Sequence, residues 1–180
     1  MIPKSKWPSY DTNIQKKIIK ILRSGKTNYL IGKEGILFEK NFSKFYKIKY
    51  SNVVANASLG LELSLLSLNL DKGDEVIVTP RSYHSSVSCV IRVGLKPVFA
   101  DIDRNSMNIC PESIRKNISR NTKAIICVHL YGMPCNMNKI KKLSKEFNLK
   151  IIEDCSQAHG ASINNKQVGS FGDVSTWSFC

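Results

Sequence analysis

Acidic side chains are scarce in this sequence. Fourteen Asp and Glu stand against 27 Lys and Arg, a formal net charge of +13. Such an imbalance raises nucleic acid or an anionic membrane as a partner. The basic residues are not gathered as either would need. Lys16, Lys17 and Lys20 fall in one helical stretch and Lys139, Lys141, Lys142 and Lys145 in another, and no RNA- or DNA-binding motif accompanies them. They read as solvated helix faces, with no nucleic-acid and no membrane partner expected. Part of the charge would also help attract phosphorylated ligands.

Other absences narrow the reading further. The six cysteines, Cys89, Cys110, Cys127, Cys135, Cys155 and Cys180, form no C-x-x-C pair and show no metal-ligand spacing, so no metal is expected. Cys89, Cys127 and Cys155 sit in or just past apolar runs, which suits reduced, buried thiols in a cytoplasmic protein. No apolar run approaches the length of a membrane span. The N-terminal stretch MIPKSKWPSY has no apolar core and does not read as a signal peptide. Internal repeats, low-complexity segments and linkers are also missing. The segment ANASLG after the first short apolar run lacks the Gly-rich dinucleotide fingerprint, which counts against an independent Rossmann-type binding module.

What is present is an alternation of elements. Ile14, Ile18, Ile21 and Leu22 have helical spacing, and Gly25 follows as a stop signal. A short helix is expected over 39–46, a strand over 53–55 and a helix from Ser58 to Leu68. Gly73 and Asp74 then turn the chain into a strand over 75–79. Helices over 82–92, 111–117 and 138–147 alternate with strands over 97–100, 123–128 and 149–153, and a last strand is expected over 174–179. Near-continuous apolar strands separated by helices predict an α/β fold, a mainly parallel sheet with helices on both faces. Residues 1–51 read as an N-terminal helical entry segment and 52–180 as one domain.

In such sheets ligands bind beyond the carboxyl ends of the strands. Asp154 closes one strand, Tyr83 follows another and Ser58 follows the first short one. Ser58 at a helix start could hold a phosphate, or could be an ordinary N-cap. Tyr83 could stack on a planar ring or pack on the sheet, with His84 beside it at the surface. Asp154 could keep a pyridine nitrogen protonated, or cap the following turn. Gln157 could hydrogen-bond a phenolic oxygen, and His159 could form a pocket wall or serve structure alone.

The string EDCSQAHGA, followed by VGSFGD and then by Ser178–Phe179, resembles the pyridoxal-phosphate (PLP) site of the DegT family of nucleotide-sugar aminotransferases, which are fold-type I enzymes. The resemblance extends over nearly the whole chain. Asn28–Tyr29 with Gly32, Gly35, Phe38 and Glu39 looks like the family's entry segment, and GDEVIVTP, KPVFADID and TKAIICVHLYGMPCNM follow in the family's order. Residues 52–180 would then be an incomplete PLP-binding large domain. The resemblance implies that Ala57 and Ser58, where the family has Gly–Thr, bind the cofactor's phosphate together with Ser178. It implies that Tyr83 lies over the ring, Asp154 faces the ring nitrogen and Gln157 faces the phenolic oxygen. The family's Schiff-base lysine is expected just beyond Cys180, so none of the catalytic residues is expected within this chain.

The function so implied is transfer of an amino group from glutamate to a keto sugar linked to a nucleotide, by a homodimer, in surface-polysaccharide or amino-sugar biosynthesis. The chain by itself, without that lysine, is expected to be inactive. Three other readings stay open: a related PLP-dependent sugar dehydratase, in which a histidine replaces the lysine, a non-catalytic fragment, and a non-catalytic binding module.

Overall fold

The computed structural model describes residues 8–180. The start of the N-terminal stretch discussed above lies outside the described residues. The chain divides into two compact units. The smaller runs to Phe45 and takes in Lys49–Val53; the larger comprises Tyr46–Ile48 and Val54–Cys180.

In the smaller unit, helix α1 spans Thr12–Ser24. The Asp11 carboxylate accepts the Ile14 N–H at its start, and Gly25 ends it in the left-handed region at φ 67. Helix α2, Glu34–Tyr46, begins earlier than the sequence pattern suggests. Gly35 lies in its first turn because Tyr29 packs there: a Cβ on Gly35 would sit 2.6 Å from Tyr29 Cδ2. The Tyr29 hydroxyl donates to the Glu39 carboxylate, which also accepts the Val53 N–H at 2.8 Å. That last bond bears on the strand expected over 53–55, which does not form. The Val53 amide is committed to a side chain instead of a ladder, and Asn56 already caps the next helix.

The larger unit holds helix α3 (Ala57–Ser67), strand β1 (Glu75–Val78), α4 (Ser85–Arg92), β2 (Lys96–Phe99), α5 (Pro111–Asn117), β3 (Thr122–Val128), α6 (Met137–Phe147), β4 (Lys150–Asp154), a hairpin of β5 (Ser162–Ile163) and β6 (Lys166–Gln167), and β7 (Val174–Thr176). Five strands form one sheet in the order β2-β1-β3-β4-β7, and every pairing in it is parallel. Pro97 is tolerated because β2 lies at the edge, where a missing N–H costs no ladder bond on the open side.

Side chains alternate across the sheet and each face is covered. On one face Val76, Val78, Ala124, Ile126 and Ile152 pack with Leu61 and Leu65 of α3 and with Cys89 and Val90 of α4. On the other, Ile77, Ile125, Cys127 and Ile151 pack with Ile114 of α5 and with Ile140 and Leu143 of α6. Burial of this kind is worth roughly 25 cal/mol per Å² of apolar surface, so the two faces supply most of the drive to fold.

Cys89, Cys127, Cys135 and Cys155 are buried free thiols, and desolvation raises their pKa, to about 12 for Cys89 and Cys135. Cys110 and Cys180 are also free. Among the described residues no helix is long and apolar enough to cross a membrane.

Candidate functional site

Strand register brings the chemistry-bearing residues to one edge. Asp154 is the last residue of β4, paired in register with Val128 of β3 on one side and Thr176 of β7 on the other. Thr176 in turn meets α3. Its hydroxyl lies 3.0 Å from that of Ser64, and a Cβ on Gly60 would come within 2.7 Å of its methyl. Glycine at 60 therefore lets α3 approach β7 closely. Ser58 stands two residues before Gly60, and Ser178 two residues after Thr176, so the start of α3 and the exit of β7 share the carboxyl edge with Asp154.

The start of α3 is suited to an anion. Its cap is Asn56, whose side chain accepts the Leu59 N–H at 2.9 Å, so Ser58 is not the N-cap. The N–H groups of Ala57 and Ser58 and the Ser58 hydroxyl carry no hydrogen bond among the described residues. Helix dipole and open N–H groups together favour negative charge there. The Ser178 hydroxyl accepts the Cys180 N–H at 3.2 Å, which leaves its own proton free to donate.

The Asp154 carboxylate is 5 % exposed and held by three donors. Ser156 gives its N–H (3.1 Å) and its hydroxyl (2.6 Å) to Oδ1, and Ser86 of α4 gives its hydroxyl to Oδ2 at 3.1 Å. The turn-capping role is thus real, but it occupies Oδ1 alone. Tyr83, in the turn before α4, is 64 % exposed and packs on the His84 ring, 4.3 Å between centroids, rather than on the sheet. Gln157 is exposed, and its Oε1 accepts the N–H of Tyr131, a non-glycine residue in the left-handed region at φ 53. The Gln157 amide nitrogen is therefore the end that remains to donate. His159 lies against Trp177 and Phe179, at 5.3 and 4.9 Å between ring centroids, and partial burial lowers its pKa.

Beneath this edge is a brace that sequence reasoning did not single out. Glu153 is wholly buried on the opposite face of β4. Its Oε1 accepts the N–H groups of Phe171 and Gly172, both at 2.7 Å, and its Oε2 accepts Gly169 N–H at 2.8 Å and His129 Nε2–H at 3.0 Å. The Cys135 N–H donates to His129 Nδ1, so that nitrogen carries no proton and the buried ring is the neutral Nε2–H tautomer. Burial alone would raise the Glu153 pKa; His129 and the Gly172 and Gly169 amides outweigh it and hold the carboxyl below the ordinary range. The glycines are required. Gly169 has φ 83 with the Trp177 ring where a side chain would go, and a Cβ on Gly172 would sit 2.7 Å from the Ile151 carbonyl. VGSFGD is thus the clasp of a buried carboxylate that leads the chain into β7. Donor atoms of His129, Glu153 and Cys155 lie within 4.8 Å of one another, but both imidazole nitrogens and both carboxylate oxygens are already engaged.

Two surface hollows open elsewhere. One of about 420 Å³ lies at the amino end of β3, and one of about 540 Å³ lies beside α5 and α6. Neither includes Asp154 or the other residues of the candidate site. Its donor set fits PLP: free N–H and hydroxyl donors for a phosphate, a carboxylate with a remaining acceptor position for a protonated ring nitrogen, and an exposed aromatic one turn from Ser86.

The DegT/DnrJ/EryC1/StrS aminotransferase family profile matches residues 8–180. A GDP-perosamine synthase from Vibrio cholerae is 39% identical over 172 residues, covering 96% of this chain and 47% of that protein. The solved aminotransferase from Psychrobacter cryohalolentis superposes with a TM-score of 0.94 at 43% identity, over 98% of this chain and 45% of that one. A GDP-4-keto-6-deoxy-D-mannose-3-dehydratase from E. coli, solved with bound hydrated PLP, superposes with a TM-score of 0.84 at 32% identity, over 91% of this chain and 43% of that one. The chain thus spans less than half the length of these relatives.

Proposed function

Because the chain belongs to the DegT/DnrJ/EryC1/StrS aminotransferase family, we propose that its sheet edge holds PLP and serves transfer of an amino group from glutamate to a keto sugar linked to a nucleotide. The setting would be cytoplasmic biosynthesis of surface polysaccharide or another amino sugar, by a homodimer. The observation that carries the reading is the Asp154 carboxylate, buried at the end of β4 with three donors on it and acceptor capacity left on Oδ2.

When bound, PLP supplies an electron-poor ring that stabilises negative charge on the adjoining carbon. The chain's own residues would do the rest. Asp154 would hold the proton on the ring nitrogen. The N–H groups of Ala57 and Ser58, with the hydroxyls of Ser58 and Ser178, would anchor the phosphate. Tyr83 would cover one face of the ring, Gln157 would donate to its phenolic oxygen, and His159 would form part of the wall. None of the lysines among residues 1–180 stands at the position that the resemblance assigns to the Schiff base. A polypeptide limited to these residues is therefore expected to hold the cofactor without turnover.

The test uses protein expressed from the whole reading frame, supplied with PLP, [¹⁵N]glutamate and GDP- or dTDP-linked 4-keto sugars. A nucleotide-linked amino sugar carrying the heavy nitrogen is expected by mass spectrometry. Loss of the sugar's hydroxyl without nitrogen incorporation would instead establish the dehydratase chemistry.

A further inference from the structure

Ser86 is a buried serine, the second residue of α4. It is 1 % exposed on α4, on the face that carries Cys89 and Val90 into the core. A helical serine ordinarily returns its hydroxyl to the carbonyl one turn back. Ser43 does so to Glu39 at 2.9 Å, and Ser64 does so to Gly60 at 2.7 Å. Ser86 stands in the first turn of α4, where no helical carbonyl lies one turn back, and donates across the fold to Oδ2 of Asp154 at 3.1 Å.

The carboxylate's own accounting shows what that bond decides. Oδ1 already accepts two hydrogen bonds, both from Ser156. With about two acceptor positions per carboxylate oxygen, Oδ1 is full and Oδ2 has one left. Ser156 alone would pin one oxygen and leave the carboxylate to swing about it, because the terminal torsion of an aspartate is broad. The hydroxyl of Ser86 fixes the second oxygen and so fixes the direction of its remaining lone pair.

We propose that Ser86 is a positioning residue for the cofactor's ring nitrogen: it acts through Oδ2 of Asp154 and aims that oxygen's open acceptor position at the N–H of the ring. The inference rests on the assignment of Asp154 to the ring nitrogen made above. It adds a residue from the opposite side of the carboxylate, on a different element, that makes no contact with the cofactor itself. A core hydroxyl that had merely found a convenient acceptor would have no bearing on the ring nitrogen, and this difference can be measured.

The experiment titrates the 180-residue chain with PLP and with its carbocyclic analogue, in which a C–H replaces the ring nitrogen. Wild type, Ser86→Ala and Asp154→Asn are compared, with thermal melting as a check on folding. Ser86→Ala is expected to weaken PLP binding by roughly tenfold, the loss of one hydrogen bond to a charged group. It should leave binding of the analogue unchanged, since the analogue has no N–H to receive. Equal weakening of both ligands, or weakening of neither, overturns the positioning role. If Asp154→Asn discriminates between the two ligands while Ser86→Ala does not, only Ser86 is misassigned. If Asp154→Asn fails to discriminate, the assignment of Asp154 falls as well. A wild-type chain that binds neither ligand overturns both.

Discussion

Glu153→Ala is expected to lower the stability of the chain by about 3–5 kcal/mol, the penalty for removing one partner from a buried, charged hydrogen-bond network. The substitution strips four donors of their acceptor at once: the N–H groups of Gly169, Phe171 and Gly172 and the Nε2–H of His129. The Gly169 N–H and the His129 ring cannot turn to water, because both residues are buried, whereas Phe171 and Gly172 are half-buried. With a native stability of 5–15 kcal/mol typical of a domain, such a loss leaves the fold marginal. The same carboxylate sets an acid dependence. Its folded-state pKa is held below the ordinary 4.5, so its contribution is fully present above that value and is lost as pH falls below it and through the folded value. Urea melts of wild type and Glu153→Gln between pH 7 and pH 3 check this. The wild type should lose stability below pH 4.5 more steeply than the variant, which has no proton to take up. Parallel acid profiles would show that Glu153 is not the buried anion described.

Asp154→Asn is expected to give the largest functional loss with little change in folding. Asparagine keeps the shape and an acceptor oxygen for Ser86 or Ser156, but a neutral amide cannot hold a pyridinium charge. In protein expressed from the whole reading frame, most of the proposed turnover should disappear, because the electron-poor form of the ring would be the source of its chemistry. PLP affinity should fall by roughly tenfold to a hundredfold, the worth of a hydrogen bond between charged partners. Ser58→Ala should act differently, weakening retention of the cofactor by about 1 kcal/mol while sparing the chemistry of the ring. Comparison of kcat with the PLP dissociation constant separates the two. Wild-type kinetics in both variants would show that the edge had been assigned the wrong ligand.

Much of the larger unit could be read from local pattern, and the reasons for the rest are specific. The parallel sheet followed from apolar runs such as AIICV in β3, because strands buried on both faces have no polar register to keep. Helix α5 matched its expected bounds because Pro111 fixes its start. The strand expected over 53–55 failed because its first amide is claimed by Glu39, fourteen residues earlier in the chain. The β5–β6 hairpin was overlooked although its signal was present. Asn164 and Asn165 both take positive φ, 49 and 63, as a two-residue turn between strands requires.

Asp154 and Tyr83 stood out because one closes a strand and the other follows one, whereas Ser58 was placed after a strand over 53–55 that does not form and Ser178 came from the family resemblance. Glu153 and Ser86 did not stand out, for different reasons. An acid at the end of an apolar strand reads as its solvated terminus, and the clasp that buries Glu153 comes from residues 16 to 19 positions later. Ser86 lies among Ser82, Ser85 and Ser88, and only the crossing of α4 over the end of β4 selects which of them meets Asp154.

In the proposed reading this edge binds PLP with its ring nitrogen on Asp154 and its phosphate at the start of α3. Crystals of the chain grown with PLP test it most directly. The ring nitrogen is expected within hydrogen-bond distance of Asp154 Oδ2 and the phosphate on the N–H groups of Ala57 and Ser58. A cofactor seated elsewhere, or one bound here with its nitrogen turned away from Asp154, would contradict it.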